Sequence, residues 1–90
     1  MENKPPYYLY YAVDPNHIDA IKQKGLKGRN IKLYESENST KLPHGLKFAN
    51  ILVIRGLEMY DDGIPIKSMD EYWVTDEVPP HYINFFKKLG

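Results

Sequence analysis

The feature that most constrains the fold is one short segment that carries both a helix start and a helix stop. Asp14 followed by Pro15 places an N-cap acceptor before a proline at the first helical position. Gly25 suits the left-handed position that ends a helix. Ile18 and Ile21 supply an apolar stripe between the two signals. The sequence therefore predicts a helix over residues 14–24 with Ile21 buried.

The rest of the chain reads as short strands and turns. Apolar or aromatic runs bounded by proline, glycine or polar residues predict strands at 7–13, 31–34, 48–54, 72–74 and 81–86, and residues 61–63 predict a turn between Met59 and residues 64–66. Residues 35–46 are polar and predict a long loop. One helix followed by several strands favours an α+β domain over alternating α/β. We expect a small antiparallel-rich sheet with one main helix, a single domain over 1–90, and flexible tails at 1–6 and 87–90.

Composition excludes several classes of protein. The chain has no cysteine, so disulfide and thiol chemistry are absent, and its three histidines lack ligand-like spacing, so no metal site is predicted. Twelve basic and twelve acidic residues cancel, which gives no overall signal for nucleic acid, although a basic cluster comprises Lys22, Lys24, Lys27, Arg29 and Lys32. No signal peptide or apolar run of membrane-spanning length is seen, so we expect a cytoplasmic protein with no membrane partner.

The residues taken alone show little catalytic chemistry. No Ser-His-Asp arrangement, glycine-rich phosphate loop or spaced carboxylate pair is present. Eight tyrosines accompany the polar loop, and tyrosine suits half-exposed surfaces and ligand clefts. These features indicate a small α+β domain with a candidate ligand site and no more.

Read in order, the segments resemble the RNA 2′-phosphotransferases. Residues 9–13 (LYYAV) look like the family's "LYHGT" strand, and 18–26 (IDAIKQKGL) look like the helix that follows it. Residues 29–36 (RNIKLYES) are similar to "R-x-x-VHLS", and 51–68 are similar to the next strand, "M-x-x-DG" turn and strand. The most specific match is 72–83 (YWVTDEVPPHYI), close to "VWLT-x-x-VPP-x-YI".

The resemblance implies the NAD lobe of an ADP-ribosyltransferase-like fold, a split antiparallel sheet with the cofactor across a cleft. The family uses NAD to remove a 2′-phosphate from spliced RNA. Several of its positions differ here: Tyr11 stands where the family has histidine, Ala12 and Val13 replace "GT", and Lys32 replaces the histidine of "VHLS". The family's arginine before the central strand has no clear counterpart, and its RNA-phosphate Arg-His pair lies in a lobe that the resemblance does not include.

The resemblance also implies candidate site residues. Tyr11 would contact a ribose or nicotinamide, and Arg29 would contact a pyrophosphate. His44, in the loop, would donate a hydrogen bond to a phosphate. Glu77 or Glu71 would hold a ribose hydroxyl and stabilise the positive charge of the reacting ribose. Ordinary packing or surface charge is the alternative explanation for each of them.

These departures favour binding over turnover. The sequence predicts a degenerate domain that binds NAD, ADP-ribose, a related nucleotide or a protein partner, with weak or no catalysis. The alternative is an active NAD-dependent ADP-ribosyltransferase or RNA 2′-phosphotransferase-like transferase, and a truncated fragment is a third reading. A nucleic-acid partner is a further alternative, which the net charge does not support.

Overall fold

The computed structural model describes residues 4–36 and 49–89. A six-stranded antiparallel sheet has the order β4-β5-β2-β1-β3-β6. Its strands are β1 Tyr8–Val13, β2 Leu26–Tyr34, β3 Ala49–Arg55, β4 Lys67–Ser68, β5 Tyr72–Val78 and β6 Ile83–Leu89, and the helices are α1 Ile18–Lys24 and α2 Gly56–Asp61. Short 3-10 turns at Pro15–His17 and Pro80–Tyr82 precede α1 and β6. The predicted α+β class, an antiparallel sheet with one main helix, is confirmed.

The predicted helix is divided into two parts. Asp14 accepts a hydrogen bond from the Asn16 backbone N–H at 2.9 Å, but it caps the 3-10 turn Pro15–His17. The α-helix proper begins only at Ile18, three residues after Pro15, where the N-cap motif predicts its first residue. Its end is as expected, because Gly25 has a φ of +73° and its N–H donates to the Ile21 carbonyl at 2.8 Å. Ile21 is buried.

Strand lengths are where the sequence expectations are wrong. β2 begins at Leu26 rather than Ile31, and β5 continues to Val78 rather than ending at Val74. After the turn, the chain forms only the two-residue β4, because Pro65 before it has no N–H to give a ladder. β6 continues through Leu89, into residues assigned to the C-terminal tail.

Helix α2 was not predicted at all. It has only six residues and no side-chain N-cap, so its sequence carries no start signal. Tertiary packing supplies what the helix start lacks, because Gly56 and Met59 are buried. A local ion pair between Arg55 Nε and Glu58 Oε2, at 2.9 Å, adds to it. A Cβ at Gly56 would lie 2.6 Å from Leu9, so the helix begins in direct contact with β1.

The sheet has one main core face and a second, smaller apolar face. The main core combines side chains from five of the strands, both α-helices and the 3-10 turn before β6. Its members are Leu9, Val13, Ile21, Leu26, Leu33, Leu52, Ile54, Met59, Trp73, Val78, Tyr82 and Ile83. On the other face Ala12 and Ile51 are buried, with Tyr10 packed against them. Tyr10 and Tyr11 point to opposite faces, as the alternation of side chains along a strand requires, and Trp73 lies in the main core.

Among the residues that the structure describes, no helix is long and apolar enough to cross a membrane.

Candidate functional site

The sheet is split between its two central strands. β1 pairs with β3 along its whole length, from Tyr8↔Arg55 to Val13↔Asn50, but with β2 at the single position Tyr10↔Tyr34. After Tyr10 the two strands no longer pair, and α1 connects their separated ends. The split therefore leaves an opening between β1 and β2 on the side of the sheet where α1 lies.

A cleft of about 370 Å³ occupies this opening. Its apolar wall comes from both strands and the helix, and the polar side chains among its lining residues belong to a tyrosine, a histidine and two lysines. The lining residues are Tyr11, Val13, His17, Ala20, Ile21, Lys24, Gly25, Leu26 and Lys27. The exposed Lys24 and Lys27 flank the α1–β2 connection at Gly25. An apolar wall with two lysines at its border suits a ligand with a flat ring system and negative charge.

Gly25 fixes the geometry of this connection. Its φ of +73° is a backbone conformation that other residues rarely adopt. A Cβ there would come within 2.1 Å of the Val78 carbonyl oxygen and 2.9 Å of Pro80. Because of this close approach, β2 begins immediately after α1 and beside the end of β5. Leu26 and Lys27 therefore lie in the cleft wall.

The next residues of β2 form a bulge. Lys27 pairs with Glu77 and Ile31 with Thr75, so Gly28, Arg29 and Asn30 together face only Asp76. Asn30 has a φ of +53°, and its backbone N–H donates to Asp76 Oδ1 at 3.0 Å. Bulges are frequent next to binding sites, where they redirect a side chain.

This bulge determines where Arg29 lies. Arg29 is exposed in the bulge and does not line the cleft that Tyr11 borders. Among the described residues, Lys27, two positions earlier, and Lys24 are the lysines that line it. The sequence showed the signal for both, the run of basic residues from Lys22 to Lys32, but without the split it could not indicate which members face the cleft.

The two candidate carboxylates are far apart. Glu77 lies directly opposite Lys27, so both side chains leave the strand pair on the same face. Glu71 precedes the other end of β5, and six residues of extended chain correspond to about 20 Å. Only Glu77 is close to a cleft residue along the sheet.

The candidate His44 and most of the predicted loop lie outside the described residues. Of that loop the structure describes Glu35 and Ser36. The Glu35 carboxylate accepts a hydrogen bond from Trp73 Nε1 at 2.7 Å, so it satisfies the indole of a buried side chain. Within residues 4–36 and 49–89, no three His, Asp or Glu side chains are grouped as a metal site requires.

A second polar contact lies between α2 and the last 3-10 turn. The Tyr82 hydroxyl donates a hydrogen bond to Asp62 Oδ2, and this bond, assisted by burial and by the charge of Asp62, raises the pKa of Tyr82 above its usual 10.0. The bond ties the end of α2 to the turn before β6. Neither residue lines the cleft.

Comparison with known proteins shows similarity along nearly the whole chain. A protein of Flavobacterium johnsoniae named probable RNA 2′-phosphotransferase is 34% identical over 89 residues, which cover 93% of this chain and 49% of the relative. This chain is a homologue of the RNA 2′-phosphotransferases. The expected family is thereby confirmed, although no family model matches the chain.

Two further homologues carry the same name. The RNA 2′-phosphotransferase homologue of Rhodopirellula baltica is 30% identical over 89 residues, covering 93% of this chain and 48% of its own length. That of Streptomyces coelicolor is 29% identical over 86 residues, covering 90% and 47%. The chain thus spans about half the length of the curated relatives it matches. The comparison shows homology to these proteins and does not show their activity in this chain.

Proposed function

We propose that the cleft in the split sheet binds NAD or a related ADP-ribose nucleotide, and that the domain turns it over weakly or not at all. The observation that carries this proposal is the cleft itself, apolar on one side and bordered by Lys24 and Lys27. The homology to RNA 2′-phosphotransferases supports the ligand class, because that family uses NAD as a substrate.

The residues of the cleft fit this ligand. A volume of about 370 Å³ is at the lower end of the range for small-molecule sites, so it suits one end of a dinucleotide rather than the whole. The half-buried Tyr11 offers a ring face and a hydroxyl for a ribose or nicotinamide. The ammonium groups of Lys24 and Lys27 would contact the pyrophosphate as point charges, without the two-pronged geometry of an arginine.

Weak turnover follows from the same geometry. Cleavage of the bond between nicotinamide and ribose develops positive charge on the ribose, which a fixed carboxylate must stabilise. Glu77 is the candidate carboxylate, but it is exposed and directly opposite Lys27. The ammonium group of Lys27 offsets part of the electric field of the Glu77 carboxylate, and water screens the rest. Lysine contacts also hold a pyrophosphate less rigidly than paired arginine contacts would.

An active transferase is the second candidate function. The position of Glu77 beside the cleft residue Lys27 favours it, as does the name that all three relatives share. In that case this chain would supply the nucleotide site, and Glu77 would be its catalytic carboxylate.

Titration of the protein with NAD and with ADP-ribose, followed by amide chemical shifts, tests the proposal. We expect shifts at Tyr11, Ala20, Gly25 and Lys27, and weaker binding in Lys24→Gln and Lys27→Gln. Arg29→Gln is the matched control, since it removes a cation of the same segment that is outside the cleft. No shift at millimolar nucleotide, or a larger effect of Arg29→Gln than of Lys27→Gln, would contradict the proposed site.

A further inference from the structure

Three tyrosines form a row across the sheet on the face opposite α1. Tyr10 pairs with Tyr34 across β1 and β2, and Tyr34 pairs with Tyr72 across β2 and β5. Directly opposite residues share a face, and Tyr10 packs with Ala12 and Ile51, not with the main core. The tyrosine row, Tyr10, Tyr34 and Tyr72, therefore lies on the second face.

The rings of this row are held in place and are partly accessible. All three tyrosines are half-buried. The Tyr34 and Tyr72 ring centroids are 5.8 Å apart with the planes inclined at 53°. Strand pairing fixes their backbones, so little conformational entropy would be lost when a ligand contacts them. They can offer ring surface on neighbouring strands without rearrangement.

Two lysines accompany the row. Lys32 and Lys67 both lie opposite Val74, one from β2 and one from β4, so the three form the next row on the same face. Both lysines are exposed, and Lys32 Nζ lies 5.2 Å from the centroid of the Tyr72 ring. Asp76, two positions along β5 from Val74, is an acidic residue beside these lysines. Its carboxylate accepts a hydrogen bond from the Asn30 backbone N–H. The surface thus pairs aromatic rings with ammonium groups.

We propose that this face binds a single-stranded polynucleotide. Bases stack on the tyrosine rings, and the phosphates lie near Lys32 and Lys67. Base-on-aromatic stacking beside basic side chains is how sequence-tolerant single-strand binding is achieved. Unpaired bases expose the ring faces that such a surface needs, whereas a duplex keeps its bases stacked on one another. Lys32 and Lys67 favour a polyanion over an uncharged protein surface as the occupant.

This site is separate from the proposed nucleotide cleft. The cleft lies on the α1 side of the sheet and uses Lys24 and Lys27, whereas the tyrosine row faces the other way and uses Lys32 and Lys67. The inference does not require the cleft to bind NAD. A protein unable to bind NAD would still bind the polynucleotide, so each proposal can fail alone.

Fluorescence anisotropy with a labelled oligouridine 12-mer tests the inference at low salt. We expect the single strand to bind more tightly than a duplex RNA of equal length. Tyr34→Leu and Tyr72→Leu should each weaken binding roughly 5- to 100-fold because a stacked base is lost. Tyr34→Phe and Tyr72→Phe should retain binding since the ring is kept. Tyr7→Leu, which removes an exposed tyrosine outside the row, is the matched control.

The salt dependence gives a second measurement that does not disturb the fold. Lys32→Gln and Lys67→Gln should each reduce the slope of log affinity against log salt by about 0.7, the value for one lost phosphate contact on a single strand. Lys4→Gln, another exposed lysine, should leave the slope unchanged. Absence of binding to the 12-mer, equal binding to the duplex, or an unaltered slope in both lysine variants would overturn the inference.

Discussion

Lys27 and Glu77 lie directly opposite each other on β2 and β5, at the border of the cleft and one position from the buried pair Leu26 and Val78. The strand pairing thus places the candidate catalytic carboxylate next to the cation proposed to bind pyrophosphate. The same pairing places Glu71 at the far end of β5. This arrangement separates two carboxylates that are equivalent candidates in the sequence.

The first prediction concerns nicotinamide release from NAD. We expect release far below ordinary enzymatic rates, because Glu77 is exposed and opposite Lys27. Any residual activity should fall by about 100-fold in Glu77→Gln, a typical cost of losing one electrostatic contact to the transition state. Glu71→Gln should have little effect. Chromatographic quantification of nicotinamide measures both. Fast release that requires Glu77 would instead establish the active-transferase alternative.

The second prediction compares three glycines. Gly25→Ala combines a positive φ with a 2.1 Å approach to the Val78 carbonyl, and Gly63→Ala has a positive φ of +87° with nothing within 4 Å. Gly63→Ala should cost about 1–2 kcal/mol of unfolding free energy, and Gly25→Ala clearly more. Gly28→Ala has neither problem, with its closest contact at 3.8 Å. Urea denaturation gives the order, and Gly25→Ala as stable as Gly28→Ala would refute it.

The third prediction concerns the buried face of α1. Ile21→Ala should lower the free energy of unfolding by about 2–5 kcal/mol, since a buried isoleucine leaves a cavity when truncated. Gln23→Ala, at an exposed position of the same helix, should change it by less than about 0.5 kcal/mol. Thermal unfolding followed by circular dichroism compares the two. Similar melting temperatures would mean that α1 does not pack on the sheet.

The fourth prediction is a pH dependence that comes from Tyr82. Its hydrogen bond to Asp62 raises its pKa in the folded protein above 10.0, whereas the unfolded chain keeps the ordinary value. The stabilisation from this bond is therefore fully present below pH 10 and is lost as the pH rises through the folded-state pKa. Tyr82→Phe should be less stable than the parent protein by a constant amount below pH 10, and the difference should shrink at higher pH. A difference that grows above pH 10 would contradict this sign.

The sequence by itself determined the parts of this protein that depend on local signals. The end of α1 at Gly25, the burial of Ile21 and the opposite orientations of Tyr10 and Tyr11 follow from a helix stop, helical spacing and strand alternation. These patterns act within a few residues, so they can be read without a partner strand. The ordered family motifs also indicated the relatives that the comparison found.

Tertiary structure alone decided the site. The single β1–β2 pair opens the cleft, and the bulge at residues 28–30 turns Arg29 away while Lys24 and Lys27 line the cleft. Strand register aligns Tyr10, Tyr34 and Tyr72 in one row. Helix α2 forms through its packing on β1 without a start signal of its own. Each of these depends on contacts between residues distant in sequence, because pairing and bulges belong to two strands and neither strand encodes them alone.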